Sequence, residues 1–159
     1  MMMTRFRERS VTDMKRVFLA DESHALLIAN LEKRTFTHPQ SEKSLIEFFK
    51  SERNFAVVCL ENGELVSYCT LTSVLDEAQI INVATAPEYK RQGCAKAVFE
   101  RIFEECARRG IITVSLEVRE SNSPAISLYE DLGFSVAGKR KDFYTDPREN
   151  ALIMIKNLD

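Results

Sequence analysis

At 159 residues and 18.2 kDa, the chain is one domain by length and large enough to bury roughly two thirds of its unfolded surface. Its 45% hydrophobic and 29% charged residues are those of a soluble globular protein, and a net charge of -2 argues against a general nucleic-acid binder, whose domains are usually strongly basic. No run approaches the roughly 18 apolar residues of a membrane span, and residues 1–14 lack the apolar stretch of a secretory signal. The expectation is a cytoplasmic protein that contacts neither nucleic acid nor membrane. Residues 1–14 read as a poorly ordered extension, and residues 15–159 as a single domain.

In chain order, RVFLA reads as a short first strand, and ESHALLIANLEKRTF follows with Leu27, Ile28 and Leu31 at helical spacing. PQSEKSLIEFFKSE offers Gln40 or Ser41 as a helix start, with Leu45, Phe48 and Phe49 on an apolar face. Two apolar runs, FAVVCL and LVSYCTLTSVL, then flank Asn62-Gly63, the pair that supplies the positive φ angles of a tight hairpin. EAQIINVATA is a further strand. It leads into EYKRQGCAKAVFERI, where Gly93 stands at the head of a helix patterned by Ala95, Val98, Phe99, Ile102, Phe103 and Cys106.

The opposite face of that helix pairs Glu104 with Arg108 and Glu105 with Arg109 in the favourable i,i+4 order, and Gly110 ends it. IITVSLEV alternates, with Val114, Leu116 and Val118 on one face and Thr113, Ser115 and Glu117 on the other. Ser123 and Pro124 suit an N-cap and first helical position, Leu128, Tyr129 and Leu132 line one helix face, and Gly133 stops the helix. FSVAG and ALIMIKNL close the chain as strands, and Lys139, Arg140 and Lys141 between them read as a solvated turn. Early hairpins and a later strand–helix–strand crossover predict a mixed sheet covered by helices on both faces.

The four cysteines, Cys59, Cys69, Cys94 and Cys106, have no C-x-x-C spacing, and only His24 and His38 supply imidazoles. No metal site is expected, and the thiols read as reduced, with Cys94 the one placed inside a motif.

A helix N-terminus presents unpaired N–H donors and the positive end of a dipole, so it attracts anions. Gly93 and Ala95 keep side chains out of the way, and Lys90, Arg91 and Lys96 add positive charge. The physical reading is a diphosphate cradle; the alternative is an ordinary helix start after a glycine turn. Two phosphate loops are excluded, because neither G-x-x-x-x-G-K-[ST] nor the later glycines of G-x-G-x-x-G are present.

NVATAPEYKRQGCAKAVFERI, followed by LEVRESNSPAISLYEDLGF, resembles the GNAT superfamily of acetyl-CoA-dependent N-acetyltransferases. More narrowly it is similar to the bacterial ribosomal-protein-alanine N-acetyltransferases. The likeness runs without a gap from about Leu65 to Phe134 and extends more weakly through LEKRTFTHPQSEKSL. It implies the GNAT acyl-CoA N-acyltransferase fold, an α+β (three-layer α/β) architecture with a mixed, mostly antiparallel sheet of about six to seven strands.

The resemblance also implies acetyl-CoA as co-substrate and the N-terminal segment of a ribosomal protein as acceptor. It assigns the coenzyme diphosphate to the main chain of Arg91, Gln92, Gly93, Cys94, Ala95 and Lys96. Val83, Ala84 and Thr85 would pair with pantetheine, and Asn122 with an arm of the cofactor. Glu117 falls on the family's catalytic glutamate and Tyr129 on its general acid. Glu77 is an alternative base, because other members draw theirs from that strand, and it is placed with Tyr144 on the acceptor side. Lys90 stands where Gln or Arg is usual, Phe143 replaces a tyrosine of the acceptor segment, and THPQ lacks two aromatic groups of the family pattern. Those last changes keep two other readings in view: transfer to a lysine side chain or small-molecule amine, and a non-catalytic coenzyme A sensor.

Overall fold

The computed structural model describes residues 15–158; the expected extension at residues 1–14 lies outside them. The chain divides into two compact units. Of the described residues, one unit holds those up to Thr70 together with Asn82–Ile102, and the other holds Leu71–Ile81 and those from Phe103 onward. Seven strands run β1 (Lys15–Leu19), β2 (Asn54–Glu61), β3 (Glu64–Val74), β4 (Glu77–Thr85), β5 (Thr113–Arg119), β6 (Ser135–Thr145) and β7 (Arg148–Asn157). Their order in the sheet is β1-β2-β3-β4-β5-β7-β6. β1–β2, β5–β7 and β6–β7 are antiparallel, while β4 and β5 are parallel, so the sheet is mixed as expected. Four α-helices accompany it: α1 (Ala25–Thr35), α2 (Glu42–Phe49), α3 (Cys94–Arg108) and α4 (Ser123–Asp131).

In the first unit, Asn62 and Gly63 both take positive φ, 55° and 78°, between β2 and β3. This is the primed turn that the Asn-Gly pair favours. Phe55–Cys59 and Leu65–Leu71 are buried without alternation, the pattern of strands covered on both faces. Ile28, Leu45, Val58 and Tyr68 centre the core, and Ser41 caps α2 by accepting from the Ser44 amide at 3.1 Å. Burying a side chain such as Leu45 contributes about 1.5–3 kcal/mol.

Helix α1 departs from its expected face. Leu27 is exposed, and Glu32, only 1% exposed, takes its place on the buried stripe with Ile28 and Leu31. Burial of the carboxylate is possible because its oxygens are satisfied. Tyr68 donates its hydroxyl at 2.6 Å, and Gln40 donates its backbone amide at 2.9 Å and its side-chain amide at 3.3 Å. Burial and this carboxylate push the Tyr68 phenol well above its ordinary pKa. Stranding that hydroxyl would cost about 1–3 kcal/mol.

In the second unit, Val114, Leu116 and Val118 are buried as the alternation of β5 required. Glu105 differs from its expected solvent face: it is 1% exposed and holds both Arg108 and Arg109, the latter at 2.9 Å. Its position explains this, since Val98 and Ile102 lie seven and three residues earlier, at the edge of the apolar stripe. The expected turn at Lys139–Lys141 is instead part of β6, which continues to Thr145. β6 ends the strand order and is mostly exposed on both faces, so no hydrophobic period marks it. Charged residues are ordinary on such an edge.

Candidate functional site

The first unit supplies the loop between β4 and α3. β4 ends at Thr85, a single 3₁₀ turn spans Pro87–Tyr89, and α3 begins at Cys94. Arg91 and Gly93 take left-handed φ of 64° and 81°. Space beside Gly93 is open, with no atom within 4 Å of a hypothetical Cβ, so the glycine is required by its conformation. The Ala97 amide donates to Gly93 O at 3.0 Å and is the first in α3 to close a helical turn. Amides ahead of it, through Lys96, have no acceptor inside the helix. Lys90, Arg91 and Lys96 are exposed around them or nearly so.

The loop is framed from outside. Arg34 donates from Nη2 to both carboxylate oxygens of Glu88 at 2.7 Å, and this contact holds the Glu88 carboxyl below its usual pKa. Gln92 Nε2 donates to Glu88 O at 3.1 Å, and Lys15 Nζ donates to Gln92 O at 3.2 Å. Cys94 sits at the loop but faces inward and is buried, next to Cys59, whose thiol burial pushes up to about 12.

Val83, Ala84 and Thr85 lie along β3. Ser67 Oγ donates to Ala84 O at 3.1 Å and bonds Thr85 Oγ1 at 2.9 Å. The Asn82 amide donates to Thr70 Oγ1 at 3.2 Å. Ser67 and Thr70 are the polar residues of the buried Leu65–Leu71 run. That interruption was the one signal available for them in the sequence.

The second unit carries the remaining residues. Glu117 stands on the polar face of β5 with its side chain 17% exposed, and Arg140 of β6 forms an ion pair with it, Nε lying 3.2 Å from Oε1. Tyr129 is 6% exposed on α4, with its ring 5.9 Å from that of Phe134. Asn122, rather than Ser123, is the N-cap of α4: its Oδ1 accepts from the Ala125 amide at 3.3 Å. The shorter Ser123 already lies inside the first turn, with Pro124 behind it. Tyr144 is held by Arg119, whose guanidinium carbon lies 4.3 Å from the ring centroid. Burial, then the charge of Glu117, raise its phenol pKa.

Glu77 is exposed at the start of β4 and pairs in register with Thr113. Glu117 lies four residues further along β5, roughly 13 Å at strand rise. Glu117 and Tyr144 therefore share one end of this unit and Glu77 stands at the other. Among the described residues no group of three or more His, Cys, Asp or Glu is placed to hold a metal ion, and no helix is long and apolar enough to cross a membrane.

A profile of the acetyltransferase (GNAT) family matches residues 25–134. The [ribosomal protein bS18]-alanine N-acetyltransferase of Escherichia coli K12 is 41% identical over 127 residues, covering 79% of this chain and 85% of the relative. A putative enzyme of the same name from Bacillus subtilis strain 168 is 38% identical over 128 residues, covering 80% and 85%. The crystal structure of the ribosomal-protein-S18-alanine N-acetyltransferase from Escherichia coli superposes with a TM-score of 0.84 at 36% identity, covering 92% of this chain and 95% of that one. Ard1 from Thermoplasma volcanium shares the fold at a TM-score of 0.81 and 20% identity.

Proposed function

The chain belongs to the acetyltransferase (GNAT) family, and from that premise we propose that it acetylates the α-amino group of a protein N-terminus, the N-terminal alanine of a small-subunit ribosomal protein. Acetyl-CoA-dependent N-acetyl transfer follows from the family itself. The observation that carries the acceptor is the 41% identity, over most of both chains, to an enzyme named for that substrate. A cytoplasmic place of action goes with such a partner.

The residues present fit the co-substrate. Open amides from Gly93 to Lys96, with Lys90, Arg91 and Lys96 around them, match a diphosphate in charge and donor direction. Arg91 and Gln92 complete the cradle. The bound thioester supplies the activated acetyl group. Val83, Ala84 and Thr85 offer main-chain partners to its arm, and the Val83 amide is the proposed polariser of the carbonyl. Asn122 contributes a further polar contact beside its cap.

The amine must lose a proton and the departing sulfur must gain one. A protein α-amine has a pKa of about 7.7–8.0 against about 10.4 for lysine, so a modest base is enough for an N-terminal substrate. Glu117 is that base in our reading, directly or through water, and Arg140, 3.2 Å from its Oε1, orients the carboxylate. Tyr129 is the acid: a phenol near pKa 10 can donate to a thiolate whose acid form lies near about 8.5. Glu77, at the far end of β5's partner strand, is the less favoured base.

Valine at Gly93 has to adopt a left-handed φ that a β-branched residue resists. Gly93→Val is therefore expected to turn the amides away and abolish the rise in melting temperature produced by acetyl-CoA. Stabilisation equal to that of the unaltered protein would place the diphosphate elsewhere.

The acceptor is tested by thiol release with acetyl-CoA across peptides that differ in their first residues. The reading expects turnover with a free N-terminal alanine, the added mass residing on the α-amine. Phe143, 43% exposed beside Tyr144 where the family pattern has a second tyrosine, is what favours testing other amines in parallel. Preference for a lysine side chain or a polyamine would overturn the assignment, and no thiol release with any amine would favour a coenzyme A sensor.

A further inference from the structure

We infer that Arg119 is a positioning residue for the acceptor side, clamping the β6–β7 hairpin so that Tyr144 is held against the Glu117 face of β5. The inference rests on the acceptor reading above, in which Tyr144 contacts the incoming peptide. Arg119 projects from the same face of β5 as Glu117, two residues further on. Its guanidinium reaches three residues at the tip of the hairpin. Nη2 donates to Asp146 O at 3.1 Å, and Nη1 donates to Pro147 O at 2.9 Å and to Glu149 Oε1 at 3.2 Å. Its Cζ also lies 4.3 Å from the Tyr144 ring centroid.

The hairpin needs such a clamp because its own ladder is interrupted. Arg140 pairs with Ala151 and Tyr144 with Glu149, so residues 141–143 face Asn150 alone. Asp142 takes a φ of 53° there, and its amide is satisfied by Asn150 Oδ1 at 2.9 Å. Such bulges re-aim the side chains that follow them, here Phe143 and Tyr144. Beyond the bulge, the hairpin tip is tied back through Arg119 and through Glu149, whose second oxygen accepts from the Ser121 amide at 2.6 Å. Ser121 lies in the segment that leads into α4, next to the Asn122 cap. The clamp thus ties the Tyr144 hairpin to the approach of the Tyr129 helix. Lysine cannot reproduce it, since a single ammonium lacks the spaced nitrogens and planar face that reach two carbonyls, a carboxylate and a ring together.

The test is Arg119→Lys in the full chain, with initial rates of thiol release measured against acetyl-CoA and against a peptide starting with alanine. The expected result is a KM for the peptide raised ~10-fold or more, with the KM for acetyl-CoA within about twofold and acetyl-CoA-dependent thermal stabilisation retained. In a Tyr144→Leu background the same substitution should add little, because the two side chains act as one unit. An unchanged peptide KM, fully additive effects, or equal losses for both substrates together with the thermal shift would overturn the inference. Unaltered protein that releases thiol with no peptide defeats the acceptor reading and this inference with it. Active unaltered protein with an indifferent Arg119→Lys variant defeats the inference alone.

Discussion

Tyr129→Phe is expected to lower kcat by roughly 10²–10⁴ while leaving the affinity for acetyl-CoA nearly unchanged. The ring is 6% exposed and packs against Phe134 on α4, so phenylalanine keeps the packing and removes only the hydroxyl. A departing coenzyme thiolate would then have to collect its proton from water. Circular dichroism and the acetyl-CoA thermal shift establish that the variant is folded and loaded, and steady-state rates read the effect. Unaltered turnover would remove Tyr129 from the mechanism.

Glu117→Gln is the second large effect, a loss of roughly 10²-fold in kcat/KM at neutral pH. The substitution is nearly isosteric, and the Arg140 that it releases is itself more than half exposed, so little stability is at stake. Its pH dependence carries the sharper information. A free α-amine titrates near about 7.7–8.0; below that range the substrate is protonated and needs the base, and above it the amine arrives already deprotonated. The deficit should therefore shrink as pH rises towards about 9.5. A deficit that stays constant across that range would give Glu117 a role other than proton removal.

Local chemistry was legible in the sequence wherever one short stretch decided the outcome. Asn62-Gly63 demanded positive φ angles, and the alternation of Thr113–Arg119 placed Glu117 opposite Val114 and Leu116 without any tertiary information. Gly93 marked a left-handed residue at a helix start, and only a long motif could turn that into a ligand site. What escaped depended on partners far along the chain. Glu32 is buried because Tyr68 and Gln40 satisfy it, and a lone glutamate among leucines does not announce such partners. The extent of β6 was hidden because both its faces are wet, so pairing with β7 rather than burial defines it. Asn122 and Ser123 are both good caps, and the sequence does not choose between them; Asn122 accepts from the Ala125 amide. Arg119 looked like the charged end of a strand. Its role emerges once the hairpin tip, 27 to 28 residues away in sequence, folds onto it.

Backbone amide resonances followed during a titration with coenzyme A test the central claim most directly. The largest shifts should fall on Gly93, Cys94, Ala95 and Lys96, with Arg91 and Gln92 next, and Gly93→Val should erase them. Saturable binding whose largest shifts lie elsewhere, with those six amides still, would mean that the bare main chain at this bend does not grip the diphosphate.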